Sequence, residues 1–501
     1  MPDKDFSDKK LLGTFIVWGG GLILLIVLVM CLNSFLPSFF IGGNVSRNNY
    51  IVYAGADIDA VFADRNLVIE SKSPYISIEV VMCKIGYEDE GKITVYEDTN
   101  VSASSDKRVH LEFLQIIDEE GVVWTKIIVA EPKKISKRAQ VYINLRRTAA
   151  SYSFKLDTGA SPVTFSAHDE AEEFNIQDIF INGTGRVVFP VTPKSSDPFE
   201  LTIGTMTVNT GSVTVDCRSV ILGEVSINCT KGSFTFSDIG TETQPTSVVV
   251  KGAYNTFTAD NVFGELDFRC DSGAVTVKKV QEDLNVVTKS GIIRASQVGG
   301  DVDFKASEGS LSVSAVAGDS VAVSVTGSIT IGANNYGAVG DVTAESVSGS
   351  VTVYFAAGTG SCDITTRTGS VSVTYLTDAV GNCKIEGYDG NITVNNLRGN
   401  VNISVAVTGK ASVVVYLSAV KAGDNLLEYK GSTVGRGNIT LYLRTELGFD
   451  LRLENTANAK EYLSSSSGVE IPNNGFYYVN EGGPEYVVKT SGKFELRKSY
   501  F

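Results

Sequence analysis

Histidine is almost absent from this chain. His110 and His168 are the only two, and neither has a cysteine or another histidine at metal-ligand spacing. A histidine-built metal centre is therefore not expected, and both read as surface or loop residues. Basic charge is also in the minority, with 43 Lys and Arg against 57 Asp and Glu and a formal net charge of -14. Such a field repels polyanions, so neither nucleic acid nor an anionic lipid surface is expected as a general partner. Finally, no charged residue occurs between Lys10 and Arg47.

What the chain does have is a repeat. A small polar residue, Gly, a spacer and an apolar, polar, apolar triplet recur as Thr210-Gly211-Ser212-Val213-Thr214-Val215, Ser272-Gly273-Ala274-Val275-Thr276-Val277, Thr326-Gly327-Ser328-Ile329-Thr330-Ile331, Ser348-Gly349-Ser350-Val351-Thr352-Val353 and Thr368-Gly369-Ser370-Val371-Ser372-Val373. Weaker copies stand at Gly232, Gly252, Gly291, Gly309, Gly390 and Gly409, so the steps from Gly211 are 21, 20, 21, 18, 18, 18, 22, 20, 21 and 19 residues. A fixed period near 20 with strand-type alternation marks a repeat protein.

A second motif interleaves with the first: Gly223-Glu224-Val225, Gly264-Glu265-Leu266, Gly300-Asp301-Val302, Gly340-Asp341-Val342 and Gly399-Asn400-Val401. Each unit therefore carries at least two short strands entered through a glycine, a residue that accepts positive φ and close backbone approach. Period-two alternation turns Val213 and Val215 inward and Thr214 outward. One such unit cannot close a core, whereas stacked copies pairing in parallel bury a continuous apolar column. The expected fold class is all-β: a right-handed parallel β-solenoid of ~20-residue coils with an N-terminal transmembrane helix. At about 4.8 Å per coil, the ten steps from Gly211 to Gly409 span roughly 50 Å.

The helix is expected over residues 11–32, where the sequence is almost wholly apolar. Twenty-two residues at about 1.5 Å rise cover roughly 33 Å, enough for a bilayer core. A cleavable signal peptide is the rival reading, but the run is long for one and lacks an obvious small-residue cleavage site. Cys31 follows Met30 where a lipoprotein signal wants a small residue, so it reads as a membrane-core residue. Lys4, Lys9 and Lys10 precede the span while only Arg47 follows closely, which places the N-terminus inside. Residues 1–10 are then a cytoplasmic tail, 33–49 a tether, and all beyond is extracytoplasmic. Residues 50–150 read as an irregular β region forming an N-terminal cap, 151–445 as the solenoid repeats and 446–501 as a C-terminal β cap.

The phase of the cysteines argues against a disulfide framework. Cys217, Cys229 and Cys270 continue inward apolar series, Cys83 sits between Val81 and Ile85, and Cys362 and Cys383 fill the slot held elsewhere by Val342 and Val401. Since Cys362 and Cys383 are one coil apart in equivalent positions, a disulfide between them is geometrically open.

Several local signals invite chemistry. Leu156-Asp157-Thr158-Gly159-Ala160-Ser161 resembles the aspartic-peptidase motif, but that mechanism needs two carboxylates sharing a proton and no second Asp-Thr-Gly exists. Thr158-Gly159 followed by Val163-Thr164-Phe165 also reads as the repeat motif with two residues inserted. Gly299-Gly300-Asp301 lacks the periodicity of calcium-binding repeats, so its aspartate reads as a turn former. Sequons occur at Asn44, Asn100, Asn182, Asn228, Asn391, Asn402 and Asn438, the last three within strand motifs. Lys133, Lys134, Lys137, Arg138, Arg146 and Arg147 form one basic cluster, read as a solvated face ahead of a contact for anionic envelope polymers or lipid head groups. Asp118-Glu119-Glu120-Gly121 turns a hairpin into Val122 to Val129. Phe476-Tyr477-Tyr478 either closes the core or forms a patch.

With anchor, irregular β start and glycine-entered coils in hand, the chain resembles the bacterial "putative adhesin" β-solenoid family over roughly Asn66 to Leu496. The resemblance implies a membrane-anchored envelope domain of unknown function without established catalytic residues. The expected role is a non-catalytic rod for surface adhesion, envelope scaffolding or sensing. Its partner is expected to be a cell-envelope polymer, glycan or surface protein, with no cofactor, metal or catalytic residue. The alternatives are a carbohydrate-active solenoid enzyme using outward acids such as Asp267 and Asp303, and a retroviral-type peptidase at Asp157.

Overall fold

The computed structural model describes residues 50–498 apart from 64, 84–85, 98–107, 131–138, 147–150, 168–172, 190–199, 218–219, 222, 334–336, 357–360, 377–379, 397–399, 418–419, 423–425, 429–430, 444–448, 456–462, 466–475 and 480–484. The expected tail, membrane span and tether, residues 1–49, lie outside the described residues. Among the described residues the helix is the short Ala56–Val61, and no helix is long and apolar enough to cross a membrane.

The alternating triplets form in-register parallel ladders. Val351 pairs with Val371, Val371 with Ile392, Ile392 with Val413, Val413 with Ile439 and Ile439 with Phe494. In the other direction the same column runs from Val351 through Ile329, Leu311, Ile293, Val275, Phe257 and Phe234 to Val215. It continues through Val187, Val163 and Ile78 to Val141. Every member is buried, and each such side chain contributes on the order of 1.5–3 kcal/mol by leaving water. Rings at equivalent positions stack along the column, as Phe355 does on Tyr375 with centroids 4.9 Å apart and planes 8° apart. An all-β, solenoid-like architecture follows directly from a period-two pattern repeated at the coil length.

Close approach, rather than positive φ, is what most of the repeat glycines supply. A Cβ on Gly327, Gly349, Gly369 or Gly390 would lie 1.7, 1.9, 2.0 or 1.8 Å from the carbonyl oxygen of the glycine one coil before it. None of these four has positive φ, whereas Gly252 does, at 142°. The tight stacking of one glycine corner on the next therefore fixes the residue type.

Both ends of the stack depart from chain order. Strand Asn66–Ser71 is parallel to Val123–Ala130 on one side and Tyr152–Asp157 on the other. Strand Ile76–Met82 likewise lies between Ala139–Leu145 and Val163–Ala167. The first coil in sequence is thus second in space, so strands Asn66–Ser71, Ile76–Met82, Val123–Ala130 and Ala139–Leu145 belong to solenoid coils, and among the described residues the irregular β region expected over 50–150 is confined to what flanks them. That cap is antiparallel: His110–Ile117 pairs with Val123–Ala130 in the expected hairpin, while Ile93–Glu97 pairs with Ala139–Leu145 and carries Tyr50–Tyr53 on its other edge. At the far end, Glu485–Thr490 lies between Gly431–Gly435 and Phe449–Asn455, and Phe494–Lys498 lies between Ile439–Leu443 and Leu463–Ser465. The last coil in sequence is therefore penultimate in space. Phe476–Val479 closes this end antiparallel to Phe449–Asn455; the side chains of Phe476, Tyr477 and Tyr478 lie outside the described residues.

Candidate functional site

Asp157 ends strand Tyr152–Asp157, and the Thr158-Gly159 corner leads into Val163–Ala167. The corner is built for tight packing. Gly159 has φ +51°, and a Cβ there would sit 3.1 Å from the Ser71 carbonyl oxygen. Ser161 Oγ donates to the Ser73 carbonyl at 2.5 Å and accepts from Ser71 Oγ at 2.7 Å. Asp157 itself accepts from Asn182 Nδ2 at 2.8 Å. The acid facing it across the ladder is Glu70, whose carboxyl is held below its usual range chiefly by a hydrogen bond from Lys126. The motif thus occupies a coil corner, as the inserted-repeat reading expects.

The Gly-Asp dipeptides are a second corner device. Asp301 N–H donates to Asp283 Oδ1, Asp319 N–H to Asp301 Oδ1 and Asp341 N–H to Asp319 Oδ1, each at 2.8 Å. The preceding glycine makes the room: a Cβ on Gly300, Gly318 or Gly340 would lie 2.1, 2.2 or 2.4 Å from the accepting carboxylate oxygen. Asn391 and Asn438 play the same part, accepting from Ser412 N–H at 3.2 Å and Lys493 N–H at 3.1 Å. Two of the sequon asparagines are thereby explained as corner acceptors. Among the described residues no group of three or more His, Cys, Asp or Glu could hold a metal ion.

Asp267 and Asp303 are two coils apart with Asn285 between them in register. Each forms an ion pair with the basic residue two positions on, Arg269 at 2.8 Å and Lys305 at 2.8 Å. Cys362 and Cys383 are in-register neighbours and free thiols with sulfurs 3.3 Å apart, and Tyr375 Oη lies 3.7 Å from Cys362. The hydrogen bond to Cys383, then burial, pushes the Cys362 thiol well above its usual range. Cys83, Cys229 and Cys270 are buried and free as well, and Cys217 is buried. Of the basic cluster only Arg146 is described, ion-paired with Asp59. Lys133, Lys134, Lys137, Arg138 and Arg147, with His168, lie outside the described residues.

A surface concavity follows one corner of the solenoid. A cavity of about 550 Å³ runs from Gly252 to Val323, and one of about 580 Å³ begins at Val323 and reaches Thr408. A third, of about 530 Å³, begins at Tyr388 and reaches Ser491. Because each shares residues with the next, the three form one furrow along the stack. Its floor is the register column Thr288, Ala306, Ser324, Ser346 and Thr366, small residues at the end of each strand. Its rim carries the residue after each, including Val325 and Val347 (both 44% exposed) and Tyr388 (50% exposed). Sequence reading passed over Tyr388. The signal was present, since it stands two residues before the motif glycine, where the neighbouring coils place Val325, Val347 and Arg367.

Residues 177–424 match the family model described as Toastrack DUF4097. That segment is similar to the Toastrack family. The matched segment holds most of the furrow and all five strong copies of the glycine motif. The wider chain is similar to a solved "putative cell adhesion protein" from Clostridium sporogenes ATCC 15579, at 8% identity, covering 90% of this chain and 99% of that one with a TM-score of 0.13. No curated protein matches the sequence.

Proposed function

We propose that this chain is a non-enzymatic, membrane-tethered solenoid, right-handed in its coil, displayed outside the cell for surface adhesion, envelope scaffolding or sensing. The carrying observation is one chain that joins a Toastrack-like stack to the charge-free apolar run of residues 11–32, flanked by lysines on its N-terminal side. A right-handed coil is the hand that parallel crossovers take almost always. The partner is a cell-envelope polymer, glycan or surface protein, and the net charge of -14 speaks against nucleic acid. The non-enzymatic reading is supported by what the candidate acids do. Asp157 takes an amide hydrogen bond at a corner, and Asp267 and Asp303 are each ion-paired.

The test compares cells with and without the full chain for retention on immobilised cell-envelope fragments, while assaying the fragments for released sugars or peptides. Retention that depends on the chain, without product release, is expected. Equal retention contradicts the adhesion reading, and chain-dependent product release contradicts the non-enzymatic one.

A further inference from the structure

The furrow's geometry constrains what can lie in it. Its lining crosses eleven successive coils, from Gly252 to Ser491. At about 4.8 Å per step this is roughly 50 Å of trough parallel to the stack. A linear polymer fits such a shape, and a compact ligand does not.

Three observations choose among linear polymers. First, the backbone along the furrow is already paired to the coils on either side, so no open strand edge is offered there. An extended peptide, which binds sheets mainly through backbone hydrogen bonds at an edge, gains nothing from it. Second, the charges around Tyr388 balance: Glu345, Glu386 and Asp389 face Arg367, Lys410 and Arg436. Neither a polyanion nor a polycation is favoured by such a rim. Third, Tyr388 stands half-exposed where two of the cavities join, one coil from Arg367 and Thr408 and in the same trough as exposed Val347 and Val325, two and three coils back. An aromatic face beside apolar and hydroxyl-bearing side chains suits the apolar ring face and hydroxyls of a sugar. The coil spacing is also comparable to the length of one pyranose unit, so successive sugars can meet successive coils in the same way.

We propose that this furrow is a binding site for a linear, uncharged polysaccharide, with Tyr388 as its stacking platform. The assignment rests on the reading of the chain as a binder of envelope material, and it names the site and the chemical class. The site is extended and shallow, so affinity accumulates over consecutive sugar units, and shortening the ligand weakens it.

The test uses the full chain in detergent micelles, titrated by calorimetry with cellohexaose, xylohexaose and chitohexaose, and with dextran sulfate and a decapeptide as comparisons. At least one neutral hexamer is expected to bind, and to bind more tightly than its trimer. Tyr388→Ala should weaken binding by about tenfold or more, as truncating an aromatic anchor does, while Tyr388→Phe keeps it and neither changes the melting temperature. Absence of binding by all three hexamers, an affinity unchanged in Tyr388→Ala, or preference for dextran sulfate or the peptide would overturn the assignment. Co-sedimentation with isolated envelopes separates the two levels. If wild type and Tyr388→Ala sediment equally and no hexamer binds, the furrow assignment fails and the adhesion reading stands. If the wild-type chain does not sediment, the adhesion reading itself fails.

Discussion

The Asp301 carboxylate accepts the backbone N–H of Asp319 at 2.8 Å, one coil along the stack. Gly318 lies directly beneath that bond. A Cβ there would meet Asp301 Oδ1 at 2.2 Å and the Gly300 carbonyl carbon and oxygen at 2.7 Å. The Gly-Asp dipeptide is therefore one mechanical unit shared between two coils. Asp301→Ala should cost about 0.5–1.5 kcal/mol, one hydrogen bond. Gly318→Ala should cost more, about 1–3 kcal/mol, because backbone must move. Chemical denaturation checks both, and an inverted order would show that the glycine is not there for space.

Core phase gives a sharper contrast within two adjacent residues. Val353 is buried in the ladder between Ile331 and Val373, while Thr352 points to the other side of the strand and is half-buried. Val353→Asp should cost about 3 kcal/mol or more, since an unpaired charge enters the column. Thr352→Asp should stay within about 0.5 kcal/mol. Equal thermal destabilisation by the two would contradict the register.

Alkaline pH should loosen the stack. Burial pushes the Cys270 thiol up to about 11, the Cys83 thiol up to about 12 and the Tyr152 phenol up to about 12. These groups lose their proton more readily in the unfolded chain, so stability is fully present below the unfolded thiol value of about 8.5. It falls as pH rises from there through the folded values, by up to about 1.4 kcal/mol per pH unit for each thiol. Melting temperatures should be level between pH 7 and 8 and decline above, with Cys270→Ala blunting the onset. A flat profile to pH 10 would show the thiols to be solvated.

The interleaved C-terminal coil makes an unusual prediction for hydrogen exchange. Chain ends usually fray first, but Glu485–Thr490 is paired on both sides and buries Tyr486 and Val488, while Phe494 and Leu496 are buried in the next strand. Amides of residues 486–490 should exchange more slowly than those of 451–454, although they lie nearer the end of the chain. The reverse order would contradict the interleaving.

What the sequence revealed and hid follows from which forces write patterns. The Val351, Val371 and Ile392 column was legible because inward positions must be apolar every second residue and the coil repeats them. The residue type at Gly327 and Gly349 was legible too, although the reason is contact between glycines rather than positive φ. The exchange of coil order at the ends was hidden. Leu67, Ile69, Tyr486 and Val488 announce buried strands, but nothing local states which neighbour they pair with. Tyr388 escaped notice because outward positions are free of packing demands, so a functional side chain there does not interrupt the pattern.

The most direct test of the central claim is topological. A site for a specific protease is inserted between Gly42 and Gly43, in the segment proposed as a tether, and the protease is added to intact cells. Release of residues 43–501 as one folded piece into the medium, with the N-terminal segment retained in the membrane, is the predicted result. Cleavage only after lysis would contradict an extracytoplasmic, membrane-tethered solenoid.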